Sequence, residues 1–256
     1  MDASTFIALC SFPKSGNTWV RTFLAHLLAG GDVNAIPDKY RSPLLSGRAV
    51  LFRGGWARIY KTHDRLISNI NADREISHAA YVYILRHPLD VFLSQANYIS
   101  LRPEQVSRAD LRPGPWNFSF PRASVEALAH NGGLTALLGA FMTFGTLMPN
   151  FQSAGSWFDH AETWSQRDDA PPLLRLRYED MAQRGLAAFV EIAAWFGGDA
   201  AAAEAAFHAT GRDTAKDDKF FWRQKALGYR DILTAEQIAL FGAVHAERVA
   251  RAGYDL

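Results

Sequence analysis

The chain has 256 residues, enough for one sizeable α/β domain, and 1–256 is read as a single domain. Lys plus Arg (27) nearly balance Asp plus Glu (26), which argues against nucleic acid as the main partner. The single cysteine, Cys10, excludes an internal disulfide framework and fits a reducing compartment, and no apolar run is long enough to span a bilayer.

Thr5 to Cys10 is apolar and partly β-branched, which suits a buried strand. Ser11 to Trp19 follows as Ser-Phe-Pro-Lys-Ser-Gly-Asn-Thr-Trp, and Val20, Phe23, Leu24, Leu27 and Leu28 then recur at helical spacing. A strand, a short turn and the first turn of a helix leave several backbone N–H groups without partners at the positive end of the helix dipole. An anion is the natural occupant. Lys14, Ser15 and Thr18 add a cation and two hydroxyls, and Gly16 lets the backbone come close. A plain surface turn is the competing reading. The usual P-loop pattern is absent, since there is one Gly and the Lys precedes it. A stretch of this kind beginning at Ser11 leaves no room for a cleavable signal peptide, so a cytoplasmic protein is expected.

Gly30 to about Ser46 reads as loop, with Arg41, Arg48, Arg53 and Arg58 as surface charge in or just after it. Ala57 to Tyr60 is a short strand ending in Lys61-Thr62-His63. His63 can accept a proton near neutral pH, its ordinary pKa being ~6.5. Of the eight histidines, His26 on the first helix reads as a bystander. Tyr81 to Leu85 is the clearest strand, and Pro88 just beyond it suits the first turn of a helix. Arg86 then lies at the mouth and Ser94 further along the same side, able to grip one phosphate together. An Arg86–Asp90 ion pair is the alternative. Asn97 to Gly133, rich in Arg, Pro and Gly, reads as a long excursion whose Trp116, Phe118 and Phe120 either line a pocket or plug the loop onto the core. Helices are expected at 134–147, 156–166, 186–196 and 200–208, with a strand at 172–178. Asp213 to Lys219 reads as a charged loop, and Thr234-Ala235-Glu236-Gln237 is a capping box opening a last helix to about Arg251.

Five of these segments, in this order, resemble the sulfotransferases that use 3′-phosphoadenosine 5′-phosphosulfate (PAPS). Pro-Lys-Ser-Gly-Asn-Thr-Trp is similar to that family's phosphosulfate loop, Tyr-Pro-Lys-Ser-Gly-Thr-Thr-Trp, with Phe12 for Tyr and Asn17 for Thr. Lys61-Thr62-His63 is similar to the segment carrying its catalytic histidine. Arg86 to Ser94 keeps the spacing of its Arg-Asn-Pro-x-Asp-x-x-x-Ser phosphate motif, with His87 for Asn. Tyr178-Glu179-Asp180-Met181 resembles the segment whose tyrosine borders adenine. Arg223 and Gly228 keep the spacing of Arg-Lys-Gly-x-x-Gly, from which Gln224 and Lys225 depart.

The resemblance implies a P-loop NTPase-like α/β fold, with a central, mainly parallel sheet flanked by helices. It implies transfer of a sulfuryl group from PAPS to a hydroxyl or amine of a small molecule, leaving PAP, with side-chain cations and no metal. Lys14 and the backbone N–H groups of Ser15, Gly16, Asn17 and Thr18 would hold the phosphosulfate, His63 would be the general base, and Lys61 would stabilise the sulfuryl charge. Trp19 and Tyr178 would contact adenine. Arg86, Ser94 and Arg223, with Gln224 and Lys225 beside it, would hold the 3′-phosphate. Segments 32–55 and 97–131 would select the acceptor. Asn17 and the short chain resemble bacterial sulfotransferases that modify natural products. A membrane or nucleic-acid partner is not implied, and a homodimer is compatible. A P-loop kinase and a non-catalytic PAP-binding protein are the rival classes.

Overall fold

The computed structural model describes residues 5–39, 44–67, 70–71, 74–101, 123–148, 151–168, 170–215 and 225–256. Trp116, Phe118, Phe120, Arg223 and Gln224 therefore lie outside the described residues. In chain order the elements are β1 (Thr5–Ser11), α1 (Asn17–Ala29), β2 (Ala49–Phe52), β3 (Gly55–Thr62), β4 (Ile70–Asn71), β5 (Arg74–Glu75), β6 (Ser77–Leu85) and α2 (Pro88–Leu101). There follow α3 (Val125–His130), α4 (Gly133–Phe144), α5 (Trp157–Ser165), β7 (Leu173–Arg177), α6 (Tyr178–Arg184), α7 (Leu186–Trp195), α8 (Ala200–Thr214) and α9 (Ala235–Arg251). The capping box forms: the Thr234 hydroxyl accepts from the Gln237 N–H, and the Gln237 side chain accepts from the Thr234 N–H.

The main sheet runs β2-β3-β1-β6-β7, and only the edge strand β2 is antiparallel to its neighbour. Strand alternation divides the core into two layers. Ile7 and Leu9 face Val20, Phe23 and Leu24 of α1 with Phe189 and Ile192 of α7. Phe6, Ala8 and Cys10 face the other way, toward Phe92 of α2, Phe141 of α4, Trp157 and Trp164 of α5 and Phe241 of α9. The chain leaves β1, returns through α1 to β3 on one side, and later places β6 on the other. The carboxyl end of β1 is thus a topological switch point, where open α/β sheets bind ligands.

Two segments differ from the sequence expectation. Residues 49–52 form a strand, because Arg53 (φ 48°) and Gly54 (φ 83°) both take positive φ and close a two-residue hairpin onto β3. As β3 runs parallel to β1, this turn sits at the sheet end opposite Ser11, so the hairpin portion of 32–55 is far from the loop. Pro37 to Lys39 does border it: the Lys61 N–H donates to Pro37 O at 2.8 Å, and the Lys39 N–H to Lys61 O at 2.9 Å. Part of the expected 97–133 excursion is also helical. Ser124 caps α3 by accepting from the Ala127 N–H at 3.2 Å.

Candidate active site

The loop after β1 turns on two residues with positive φ, Lys14 (73°) and Gly16 (102°). A non-glycine residue there is strained by roughly 1–2 kcal/mol, so the turn is held by its surroundings. The Ser15 N–H donates to Phe12 O at 3.2 Å. Gln95 of α2 donates to Pro13 O at 3.5 Å while accepting from the Leu147 N–H at 2.7 Å. Gly16 is the N-cap of α1 and offers no side-chain cap. The N–H groups of Gly16, Asn17 and Thr18 have no backbone acceptor among the described residues. Ser15 is wholly buried, and its Oγ has no hydrogen-bond partner among them. A Cβ on Gly16 would lie 2.8 Å from Tyr178 Cδ2. Orphaned donors, a buried hydroxyl and a side-chain-free backbone make a cradle for an anion.

The Asn17 side chain turns inward. Its Nδ2 donates to Leu9 O at 3.2 Å and to Ser11 Oγ at 3.1 Å, so only its backbone faces the loop. Thr18 and Trp19 are half-buried. The Trp19 ring meets Phe189 at 4.8 Å and the edge of Tyr178 at 5.8 Å. The Lys14 ammonium stands 4.7 Å over the Tyr98 ring, a contact the sequence reading missed although Ser94 and Tyr98 are four apart on α2.

Arg86 closes the other side. Its guanidinium lies 4.0 Å over the Tyr178 ring and donates to Lys14 O at 3.3 Å and Lys225 O at 3.4 Å. Its Nη2 is 3.9 Å from Asp90 Oδ2, while Asp90 Oδ1 accepts from the Tyr229 N–H at 2.9 Å. The two readings of Arg86 coexist: it pairs with Asp90, yet its Nε has no partner among the described residues. Ser94 is half-buried two turns into α2. Lys225 contributes its carbonyl here, because its ammonium pairs with Asp231 at 2.6 Å on the surface. His87 ties in the tail. Its Nδ1 accepts from the Leu89 N–H at 3.3 Å, so Nε2 carries the proton and donates to Asp255 O at 3.0 Å.

His63 follows β3, beside the end of β1, and is only 6% exposed. Its Nδ1 lies 2.7 Å from Ser11 O. A carbonyl can only accept, so Nδ1 carries the hydrogen and Nε2 keeps its lone pair. Burial, with the Lys61 charge second, lowers its pKa to about 3, so the ring is neutral. The Phe151 ring meets it edge-on at 5.2 Å. Lys61 pairs with Asp38 at 2.8 Å, both side chains 14% exposed. Lys39 pairs with Asp64 at 2.5 Å. Neither acid stood out in the sequence, because both partnerships cross between segments remote in the chain.

The description "Sulfotransferase domain" matches residues 4–253. Sulfotransferase 1B1 of dog is 24% identical over 189 residues, 69% of this chain and 54% of that protein. Sulfotransferase 1A1 of rat is 25% identical over 194 residues, with the same coverage. The chain spans about half the length of these curated relatives. Among solved structures, mouse sulfotransferase SULT7A1 complexed with PAP superposes with a TM-score of 0.61 at 18% identity, covering 96% of this chain and 84% of that one. Retinol dehydratase with androsterone and the inactive cofactor PAP gives 0.57 at 13% identity, covering 96% and 80%. No described helix is long and apolar enough to cross a membrane. The match over nearly its whole length makes the chain a member of the sulfotransferase domain family.

Proposed function

We propose that the protein is a PAPS-dependent sulfotransferase acting on a hydroxyl or amine of a small molecule. The carrying observation is one juxtaposition at the end of β1. A loop of orphaned N–H groups and the unpartnered Ser15 Oγ adjoins a neutral histidine whose Nδ1–H is fixed on Ser11 O. PAPS, when bound, supplies an activated sulfuryl group on a phosphate leaving group. The residues present fit it: the loop is an anion cradle, Gly16 has no Cβ to collide with the Tyr178 ring, and Arg86 Nε has no partner among the described residues.

In this reading Lys14 and the N–H groups of Gly16 to Thr18 hold the phosphosulfate and neutralise leaving charge. Arg86, with Ser94, Arg223 and Gln224, binds the 3′-phosphate. The rings of Trp19 and Tyr178 form the adenine side. His63 Nε2 takes the acceptor's proton, and Ser11 O stabilises the imidazolium that forms. Lys61, paired with Asp38 at 2.8 Å and close enough to His63 to lower its pKa, would stabilise charge on the sulfuryl group. Phe151 and Tyr98 stand at the acceptor side, beside His63 and Lys14. The single, buried and free Cys10 supports a reducing, cytoplasmic setting.

Calorimetric titration with PAP and, separately, with magnesium-ATP tests the cofactor class. PAP should bind without magnesium and ATP weakly. Preference for magnesium-ATP would move a kinase to the front.

A further inference from the structure

Beneath His63, on the face of β1 turned away from α1, lies a second histidine that the proposed chemistry does not use. His160 stands on α5 and is wholly buried. Its Nδ1 is 3.2 Å from the Tyr83 hydroxyl, and its Nε2 is 3.9 Å from Cys10 Sγ. Cys10 Sγ is in turn 3.2 Å from Asp64 O.

These contacts have one consistent direction. Asp64 O can only accept, so the Cys10 thiol donates to it. The sulfur is then left to accept from His160 Nε2–H, and His160 Nδ1 accepts from the Tyr83 hydroxyl. Trp164 Nε1–H donates to the same Asp64 O at 3.3 Å, filling its second lone pair. The Asp64 N–H donates to Thr62 Oγ1 at 3.1 Å. Both main-chain groups of the residue after His63 are thereby held from below. The His160 ring also stacks on Tyr83 (5.6 Å, 28°) and meets Phe12 of the loop edge-on at 5.6 Å. One side chain thus touches the strand, the loop and the chain that carries the base.

We propose that His160 is a positioning residue: the directed chain Tyr83–His160–Cys10–Asp64, with Trp164, fixes the 63–64 backbone so that His63 keeps Nδ1–H on Ser11 O and presents Nε2. This rests on the reading of His63 as base. Packing alone does not require it. A phenyl ring would fill the same space without bringing a titratable group into the core, where polar groups cost free energy unless every partner is met. Burial lowers the pKa of His160 to about 3, so the chain does not break by protonation near neutral pH.

The test is the tautomer of His63, read from long-range ¹H–¹⁵N spectra of ¹⁵N-labelled protein and assigned by its loss in His63→Ala. The wild type should show one Nδ1–H species. His160→Phe keeps volume and stacking but removes the chain. It should average His63 between tautomers and lower kcat roughly 10–100-fold, the scale expected of a misplaced catalytic group. PAP affinity should stay within twofold. An unchanged Nδ1–H spectrum in His160→Phe overturns the proposal. Should that variant not fold, Tyr83→Phe removes only the hydroxyl at the head of the chain. It should shift the spectrum the same way by less, and no shift overturns the proposal equally. Wild-type turnover by His63→Ala would instead overturn the base reading, leaving the tautomer to decide positioning by itself.

Discussion

On the α1 side of β1, Ile7 and Leu9 meet Val20, Phe23, Leu24 and Phe189. On the opposite side, Phe6, Ala8 and Cys10 share the core with Tyr83, Trp164 and the buried His160. Both layers exclude water, and apolar contact stabilises both by about 25 cal/mol per Å² removed from it. They differ in directionality. Apolar packing sets distance but not orientation, whereas a hydrogen-bonded ring is aimed. The second face carries aimed aromatic groups: Tyr83 to His160, Trp164 to Asp64 O, and the Tyr60 hydroxyl 2.9 Å from His78 Nε2. At the loop the pattern inverts: among the described residues Ser15 Oγ and Arg86 Nε have no hydrogen-bond partner. One face of the strand thus holds the fold together, and the other sets a side chain to work.

Two substitutions separate those roles most sharply. His63→Ala should lower kcat by about 10²–10⁴-fold while PAP affinity and melting temperature change little. Leu9→Ala, near the same end of the neighbouring strand β1, should do the reverse. It is wholly buried and should lose about 2–5 kcal/mol of stability, with kcat per folded molecule unchanged. A Leu9→Ala protein that folds well but turns over poorly would show that the aliphatic face also tunes the site.

Acid should act mainly on the aimed face. Burial lowers the pKa of His63 and His160 to about 3 and of His78 and His87 to about 4. The unfolded chain takes up these protons near pH 6.5 and the folded one does not. Below that pH the unfolded state therefore binds more protons, and stability rises with pH. The contribution is complete above about 6.5 and is lost progressively as pH falls toward 4. Each histidine adds at most about 1.4 kcal/mol per pH unit inside that window. Urea midpoints at pH 7 and 5 test this, and equal midpoints would mean that these rings are hydrated. PAP should also raise the His63 pKa, because an added anion favours the imidazolium.

Local pattern revealed the elements and the loop, because a strand, a turn and a helix face are written in neighbouring residues. It did not reveal which way side chains turn. The loop pattern assigns Asn17 a backbone N–H and says nothing of its amide, which points inward to Leu9 O and Ser11 Oγ. Lys61 is expected to stabilise sulfuryl charge, and its local pattern carries no sign of Asp38, 23 residues away, which pairs with its ammonium. The hairpin strand β2 escaped notice because four residues between glycines carry too short a pattern. His160 carried no signal either, since its partners come from β1, β6 and the segment after β3.

The smallest effect bears on the phosphate side, where the two cations Arg86 and Lys225 part company. Arg86 is 9% exposed, reaches Lys14 O and Lys225 O, and keeps Nε unspent. Lys225 points to the surface and to Asp231. Arg86→Ala should weaken PAP by roughly 10–100-fold, the scale of about 1.5–3 kcal/mol for a charged hydrogen bond. Lys225→Ala should change it less than twofold, because the carbonyl that Arg86 uses remains and the lost ion pair is solvated. Titrations at two salt concentrations decide between the readings. A large, salt-dependent loss in Lys225→Ala would mean that the ammonium leaves Asp231 when the nucleotide arrives, making Asp231 a competitor for the cation, so that Asp231→Asn should then tighten PAP.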